Sequence, residues 1–254
     1  METVDIKRPL FRLARTDACY CNSGKRFKSC CGSMAEPRDP PHGVIVVSDF
    51  LNSETCRKWV SYLETQPRRP LAVHNNDDSE PSGLAKERIS GRVTDKVEQG
   101  ELKDDIVAAI GHAYTRQVPN ACGRSIEWYE NPQVLRYEPG GLYGPHSDSD
   151  HFLPAEGMWQ KVIDRDMSML LYLNQEFEGG ELTFRQFNYI YRPRAGDLLF
   201  FPSGGQYAHE ALPVQSGLRY VIVSWAAFRD EPRVMSMRPA DSIYPEPDQE
   251  PGPG

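Results

Sequence analysis

The sequence lacks several features that mark common classes of protein. It has no run of about 18 apolar residues, so we expect no membrane-spanning helix. The N-terminal stretch METVDIKRPLFRLARTD carries scattered charges and no apolar centre, so we expect no secretory signal. Acidic residues also outnumber basic ones: the net charge is −7, which does not favour direct binding to nucleic acid. We therefore expect a cytoplasmic protein without membrane or nucleic-acid partners.

Hydrophobic residues are few as well, at 39% of the 254 positions, and the two ends account for part of this shortage. The chain is long enough for one large domain with a small appendage. Composition predicts four parts: a cysteine motif over 1–34, a linker over 35–42, a core domain over 43–228 and a disordered, Pro-rich acidic tail over 229–254.

The core domain shows helical spacing first and short strands later. Ser53 has the character of a helix N-cap, with an apolar stripe at Trp59, Val60 and Leu63, and 102–113 predicts a second helix. The segment 66–100 is polar and long, which indicates a functional or mobile loop containing short strands. Beyond it, QVLRY, SMLLYLN, ELTF, DLLFF and RYVIVSWAAF are separated by Gly- and Pro-containing turns. We predict an α+β fold in which helices buttress a double-stranded β-helix, or jelly roll.

The most informative feature is His146-x-Asp148, with His209 far downstream. Two imidazoles and one carboxylate form the facial triad that holds non-haem Fe(II) and leaves coordination positions open. Side chains two apart on a strand share a face, so His146 and Asp148 can ligate together. No carboxylate follows His151 at the same spacing, and we interpret Asp150 and His151 as part of a solvated loop. The alternative is that His-x-Asp occurs by chance.

Arg219 lies ten residues after His209, at the start of an apolar strand. A planar guanidinium suits a fixed clamp for a carboxylate. Strand alternation places Arg219, Val221 and Val223 on one face, so Arg219 can reach the cavity if His209 faces inward. The alternative is an Arg at a strand edge that faces water.

Tyr137 and Tyr172 are candidates to hydrogen-bond the same carboxylate, because each combines an apolar body with a polar tip. Core packing explains either tyrosine equally well.

With these residues the chain resembles the 2-oxoglutarate- and Fe(II)-dependent oxygenases of the prolyl 4-hydroxylase branch, over about 43–228. The motifs that carry the resemblance are VSDFLNSETC, YEPGGLYGPHSDSD, LLYLN, FEGGELTF, AGDLLFFPSG, His209 and LRYVIVSWAAF. It implies functions for six residues: iron binding by His146, Asp148 and His209, and 2-oxoglutarate binding by Arg219, Tyr137 and Tyr172. Collagen-type prolyl hydroxylases have Lys at the Arg219 position, which favours the hypoxia-sensor-like branch.

The resemblance also implies a reaction. 2-Oxoglutarate is decarboxylated to succinate while O2 is used to hydroxylate a C–H bond, here expected on a prolyl residue of a protein substrate. Ascorbate is a further candidate cofactor. Two alternatives stay open: an oxygenase acting on another side chain or a small molecule, and a non-catalytic adaptor that docks partners.

The cysteine motif reads Cys19-x-Cys21, eight residues, Cys30-Cys31. Four thiolates satisfy Zn2+ in a closed tetrahedral site. The pattern resembles the zinc motif at the C-terminus of the secretion ATPase SecA, which implies docking to partners, including the translation or secretion machinery. A purely structural staple and a disulfide pair are the alternatives, although adjacent Cys30 and Cys31 make a disulfide pair awkward.

Overall fold

The computed structural model describes residues 3–10, 13–21, 23–34, 39–71 and 91–245. Its strands in this part of the chain are β1 (Lys7–Pro9), β2 (Ile45–Val47), β3 (Arg68–Pro70), β4 (Arg92–Val93), β5 (Asp95–Val97), β6 (Ile126–Tyr129), β7 (Gln133–Tyr137), β8 (Leu142–His146), β9 (Asp150–Leu153), β10 (Met158–Lys161), β11 (Met167–Tyr172), β12 (Phe177–Gly179), β13 (Leu182–Phe184), β14 (Tyr189–Tyr191), β15 (Leu198–Pro202), β16 (His209–Ala211), β17 (Val214–Gly217) and β18 (Arg219–Phe228). The helices are α1 (Ser53–Leu63), α2 (Lys103–His112) and α3 (Val118–Cys122), with a π-helical turn over Ala113–Gln117.

The first helix begins one residue earlier than the sequence suggested. Asn52, and not Ser53, is the N-cap of α1, because its Oδ1 accepts a hydrogen bond from the Thr55 N–H at 2.9 Å. The buried stripe of α1 includes Trp59 and Leu63, as the spacing indicated. Among the described helices, none is long and apolar enough to cross a membrane.

The strands form two facing sheets with antiparallel pairing. The major sheet has the order β2-β15-β11-β18-β7-β5-β3, and β6 also pairs with β18. The minor sheet has the order β14-β13-β16-β8-β4. Two small sheets, β1-β10-β9 and β12-β17, complete the arrangement in the described part of the chain. Two opposed sheets with helices on one side form the predicted α+β jelly roll.

Alternation along β18 separates two hydrophobic cores. Tyr220 and Ile222 belong to the core that the helices cover, whereas Val221 and Val223 belong to the core between the two sheets. Arg219 shares the second face and is 2% exposed. The predicted inward direction of Arg219 is therefore confirmed, and the guanidinium lies inside the jelly roll.

Of the two polar segments, 66–100 contains short strands, as expected, whereas 229–245 contains more structure than its composition suggested. Within 66–100, strands β3, β4 and β5 extend both main sheets, and 72–90 lies outside the described residues. Beyond β18, Arg233 is 7% exposed and donates to the Phe228 carbonyl at 2.6 Å. The Ile243 backbone pairs with Tyr129. This differs from the disorder expected for 229–254, of which 246–254 lies outside the described residues.

Candidate active site

The two candidate histidine ligands lie on neighbouring strands of the minor sheet. His146 ends β8 and His209 begins β16, and the two residues face each other in the antiparallel register. Their ring centroids are 4.3 Å apart. Pairing of strands far apart in sequence therefore brings the two imidazoles together.

Asp148 completes the site from just beyond the end of β8, and not from the strand itself. Its Oδ1 lies 3.5 Å from His146 Nε2, and its Oδ2 lies 3.6 Å from His209 Nε2. One ligand atom from each of the three residues lies within 4.8 Å of the others. The grouping expected from the sequence is therefore present, although strand alternation does not explain it, because a turn carries Asp148 back to the metal position.

Backbone carbonyls hold both imidazoles in the orientation that a metal ligand requires. His146 Nδ1 lies 2.8 Å from the Gly144 carbonyl oxygen, and His209 Nδ1 lies 3.0 Å from the Tyr207 carbonyl oxygen. Donation by each Nδ1–H leaves both Nε2 lone pairs directed at the position of the ion. The donor set fits non-haem Fe(II), because it combines two imidazole nitrogens and one carboxylate without a thiolate.

Two buried serines hold the Asp148 carboxylate in place. Ser168 Oγ, on β11, donates to Asp148 Oδ2 at 2.6 Å and lies 2.7 Å from Ser203 Oγ. The Ser203 carbonyl in turn accepts from the Asp148 N–H at 3.2 Å. A residue of the major sheet, Ser168, thus orients Asp148, which follows a strand of the minor sheet. The sequence carried no signal for this role, because Ser168 stands within an apolar strand.

Electrostatics keep His209 and Asp148 in the protonation states that metal binding needs. Burial and the neighbouring His146 lower the pKa of His209 to about 4, so its imidazole is neutral near pH 7. Burial by itself raises the pKa of the Asp148 carboxyl. The two imidazoles and the Ser168 hydroxyl outweigh burial, so this pKa lies well below its ordinary value and the carboxylate is charged.

Asp150 and His151, which follow the His-x-Asp motif, differ in burial. His151 is exposed, as expected, although it lies in strand β9 and not in a loop. Asp150 is 3% exposed and begins β9, so the solvated-loop interpretation is wrong for this residue. Its Oδ2 accepts from the Gly205 N–H at 2.9 Å, and its Oδ1 accepts from Ser149 Oγ at 2.6 Å. Asp150 therefore ties the strand after the motif to the turn that precedes His209.

Arg219 lines the same cavity as the three ligands. Its Nη1 donates to the Gly180 carbonyl at 2.6 Å, while its Nε is buried without a partner among the described residues. Within the described part of the chain, no carboxylate is paired with this guanidinium. A buried charge without a counter-charge is costly, so the arrangement fits an anionic ligand such as a carboxylate.

The structure places the two tyrosines differently. Tyr137 faces Arg219 in the β7–β18 register and lines the cavity, with its ring centroid 3.8 Å from the guanidinium carbon. Tyr172 is fully buried, its ring 5.7 Å from that of Tyr191. The Tyr172 hydroxyl has no partner among the described residues. Burial raises the pKa of Tyr172, and the Arg219 charge offsets only part of that rise.

Aromatic residues that sequence reasoning did not single out flank the cavity. The Tyr143 ring stacks on the His146 imidazole, with centroids 3.5 Å apart, and Arg92 lies over the Tyr143 ring at 4.6 Å. Trp225 also lines the cavity, and the Arg165 guanidinium lies 3.9 Å from its ring centroid. Strand composition gives no signal for these stacks, which depend on three-dimensional packing.

The four-cysteine motif forms a second cluster of metal ligands. The sulfur atoms of Cys19, Cys21, Cys30 and Cys31 all lie within 4.8 Å of one another. Cys21 Sγ is 3.4 Å from both Cys19 Sγ and Cys30 Sγ, and all four thiols are free. Tetrahedral Zn–S bonds of about 2.3 Å place sulfur atoms about 3.8 Å apart, so this cluster suits a zinc-like ion.

Comparison with known proteins agrees with both sites. Residues 132–227 match the model of the 2OG-Fe(II) oxygenase superfamily, and residues 15–33 match the SEC-C motif. A PKHD-type hydroxylase of Parvibaculum lavamentivorans is 30% identical over 191 residues, which cover 72% of this chain and 74% of that protein. A putative prolyl 4-hydroxylase of Acanthamoeba polyphaga mimivirus is 32% identical over 106 residues, which cover 38% of this chain and 44% of the relative.

A solved structure shares the fold. A prolyl hydroxylase from Trichoplax adhaerens, in complex with a peptide fragment of the hypoxia inducible factor oxygen degradation domain, superimposes with a TM-score of 0.53 at 19% identity. The superposition covers 77% of this chain and 88% of that one.

A jelly roll with a buried His-x-Asp…His cluster and an inward guanidinium defines a class, the non-haem Fe(II) oxygenases. The chain belongs to the 2OG-Fe(II) oxygenase superfamily and is a prolyl hydroxylase-like dioxygenase with an N-terminal SEC-C motif. The family accounts for Fe(II) and 2-oxoglutarate as its cofactor and co-substrate.

Proposed function

We propose that this dioxygenase hydroxylates a prolyl residue of a protein substrate. The observation that carries the proposal is the convergence of the three iron ligands and Arg219 on one cavity. The prolyl hydroxylases among its relatives support the choice of residue. The peptide bound by the Trichoplax relative supports a protein as substrate. These arguments favour a peptide over a small molecule.

The protein's own residues supply binding, orientation and exclusion of water. His146, Asp148 and His209 would hold Fe(II) on one side of the cavity, and Arg219 would bind the distal carboxylate of 2-oxoglutarate on the other. When bound, Fe(II) and 2-oxoglutarate supply the oxidising chemistry, in which 2-oxoglutarate is decarboxylated to succinate. The remaining walls are mostly apolar, with Leu135 among them, and they keep the oxidising chemistry away from bulk water.

We further propose roles for the two tyrosines. Tyr137 would hold Arg219 by stacking beneath its guanidinium, which orients the fork towards the co-substrate. Tyr172 would donate its hydroxyl to the carboxylate that Arg219 binds. Its unpartnered, buried oxygen supports this role, because buried hydroxyls are normally hydrogen-bonded.

For the cysteine cluster we propose Zn2+ as the ion. Closed, all-thiolate tetrahedral sites are typical of structural zinc. Lys25, Arg26 and Lys28 lie exposed on the same module, and they give an otherwise acidic protein a local basic surface. This surface supports docking to an acidic partner, in keeping with the SEC-C resemblance.

The decisive experiment measures succinate production from 2-oxoglutarate with Fe(II) and O2, with and without candidate peptides. We expect uncoupled turnover without peptide and faster turnover with a proline-containing substrate, whose mass rises by one oxygen atom. His146→Ala serves as the inactive control.

The outcomes separate the alternatives. Oxygen incorporated at another side chain, or only into a small molecule, would contradict the prolyl proposal and retain the oxygenase. No succinate from iron-loaded protein would instead favour the non-catalytic adaptor. The complete ligand set with its inward Arg219 weighs against an adaptor.

A further inference from the structure

The four-cysteine module packs against the jelly roll, and one side chain fastens its end. Asn188, in the turn between β13 and β14, donates through Nδ2 to the Cys31 carbonyl at 3.0 Å and to the Met34 carbonyl at 2.9 Å. Asn188 has a positive φ of 53°, a conformation that Asn tolerates better than most residues. This turn of the minor sheet therefore holds the module through Cys31, which precedes Asn188 by 157 positions in the sequence.

Aromatic contacts continue from the module into the jelly roll. Tyr20, between two of the cysteines, meets the Phe187 ring edge-on at a centroid distance of 5.9 Å. Phe187 is 5% exposed and lies 5.6 Å from the Tyr207 ring. Tyr20 also packs against the core between the two sheets. The module and the interior of the oxygenase therefore share one continuous packed region.

Tyr207, the last residue in this chain of aromatic contacts, positions the iron ligand His209. The Tyr207 carbonyl is the group that accepts from His209 Nδ1 at 3.0 Å. The Tyr207 hydroxyl donates to the His42 carbonyl at 2.8 Å, which fixes the ring from its other side. Gly43 has a φ of +88°, and a Cβ there would stand 2.5 Å from the Tyr207 oxygen, so another residue would be strained and would displace the Tyr207 side chain. The position of Tyr207 is thus set jointly by Phe187 and by the chain that follows the module.

We propose that the metal-loaded cysteine module positions His209, so that occupancy of the four-cysteine site sets the affinity of the active site for Fe(II). The inference rests on the proposal that the thiolates hold zinc, and it is independent of the substrate. A module this short has too small a core to keep its shape without a metal ion. Loss of the ion would remove the Tyr20 ring from its contact with Phe187 and would displace the carbonyl groups to which Asn188 donates. The Phe187 ring and the Tyr207 carbonyl would then be held less firmly. Partners of this kind behind a metal-bound histidine typically change metal affinity about 10- to 100-fold.

The test compares the wild type with variants that break the connection at different points. Asn188→Gly keeps the left-handed backbone and removes the amide, Tyr20→Leu removes the ring contact, and Cys31→Ser removes a thiolate. Zinc content, the Fe(II) dissociation constant and the unfolding temperature are measured for each. The Fe(II) titration follows the visible charge-transfer band of the anaerobic Fe(II)·2-oxoglutarate complex.

Asn188→Gly and Tyr20→Leu should keep zinc and weaken Fe(II) binding about 10-fold. Cys31→Ser should lose zinc and weaken Fe(II) binding at least as much. Thr16→Ala, an exposed change on the module outside its basic surface, should alter the content of neither metal. Leu63→Ala in the helical core controls for general destabilisation, and it should lower the unfolding temperature without changing Fe(II) affinity.

Four results would overturn the inference or the zinc proposal on which it rests. Unchanged Fe(II) affinity in zinc-free Cys31→Ser would show that the two sites are independent. A loss of Fe(II) affinity in Leu63→Ala equal to that in Asn188→Gly would show that general destabilisation, and not the contact with the module, weakens Fe(II) binding. If Cys31→Ser does not fold, unchanged affinity in Asn188→Gly and Tyr20→Leu overturns the inference. A wild-type protein that binds no zinc would contradict the zinc proposal instead, which zinc content reveals before any Fe(II) titration.

Discussion

Ser168 and Asp148 form a hydrogen bond of 2.6 Å that crosses from the major sheet to the iron-binding turn. Asp148 lies beyond the end of β8, so strand geometry alone does not fix its carboxylate. The Ser168 hydroxyl leaves Oδ1 beside His146 and restrains rotation of the group. An ion-binding carboxylate is thus oriented by a side chain that never touches the ion.

Replacing Ser168 by Ala should weaken Fe(II) binding about 10- to 100-fold, because the carboxylate loses its fixed orientation. Anaerobic Fe(II) titration in the presence of 2-oxoglutarate measures this change. Ser168→Thr retains the hydroxyl and should restore most of the affinity. Equal affinities for wild type and Ser168→Ala would show that the hydrogen bond does not position the ligand.

The three ligands should be individually essential for iron binding. His146→Ala, Asp148→Ala and His209→Ala each leave two protein ligands, and each should abolish both Fe(II) binding and succinate production. His151→Ala is a matched control, since it removes an exposed imidazole close to the motif. Full turnover by any of the three variants would remove that residue from the iron site.

The sequence was sufficient for the elements that depend on local pattern. Strand alternation correctly put Arg219 on the same face of β18 as Val221 and Val223. Both faces of this strand are buried, so the strand pattern alone did not say which face meets the cavity. The pairing of His146 with Asp148 was predicted correctly but for the wrong reason, because Asp148 lies beyond the end of β8 and reaches the site from a turn. Arg219 follows His209 by ten residues, with β17 between them, and the structure puts both residues in one cavity.

Contacts between distant segments could not be predicted in the same way. Ser168 stands among methionines and leucines and looks like an ordinary core position, yet it meets Asp148 only because β11 and β8 lie in opposite sheets. Asp150 was assigned to a solvated loop, but the Gly205 N–H that it accepts from lies 55 residues away. No periodicity records a partner at that distance.

Arg219 should determine affinity for 2-oxoglutarate. Arg219→Met removes the guanidinium while keeping much of its apolar volume, and loss of charge-assisted hydrogen bonds worth about 1.5–3 kcal/mol should raise the KM for 2-oxoglutarate about 10- to 100-fold. The Fe(II) dissociation constant measured without 2-oxoglutarate should change little. Arg229→Ala, an exposed change beyond β18, is the control.

The buried guanidinium of Arg219 should also affect the unfolding temperature of the protein. A buried charge without a counter-charge destabilises the free protein, so 2-oxoglutarate should raise the unfolding temperature of the wild type. Arg219→Met should abolish that rise and should unfold at a temperature no lower than the free wild type. Thermal unfolding under anaerobic conditions measures both. An undiminished rise in Arg219→Met would place the carboxylate elsewhere.

Tyr172→Phe distinguishes a co-substrate ligand from a core residue. The ring packs inside the jelly roll in either case, and only the hydroxyl, which has no partner among the described residues, is removed. If the hydroxyl donates to 2-oxoglutarate, the KM should rise about 2- to 10-fold, as expected for one hydrogen bond of about 0.5–1.5 kcal/mol. The unfolding temperature of the free protein should stay equal or increase, because an unsatisfied polar group is gone. Tyr191→Phe is the matched control, since its hydroxyl donates to Asp197 at 2.6 Å and its loss should lower stability without affecting the KM. An unchanged KM in Tyr172→Phe, together with raised stability, would assign Tyr172 to packing alone.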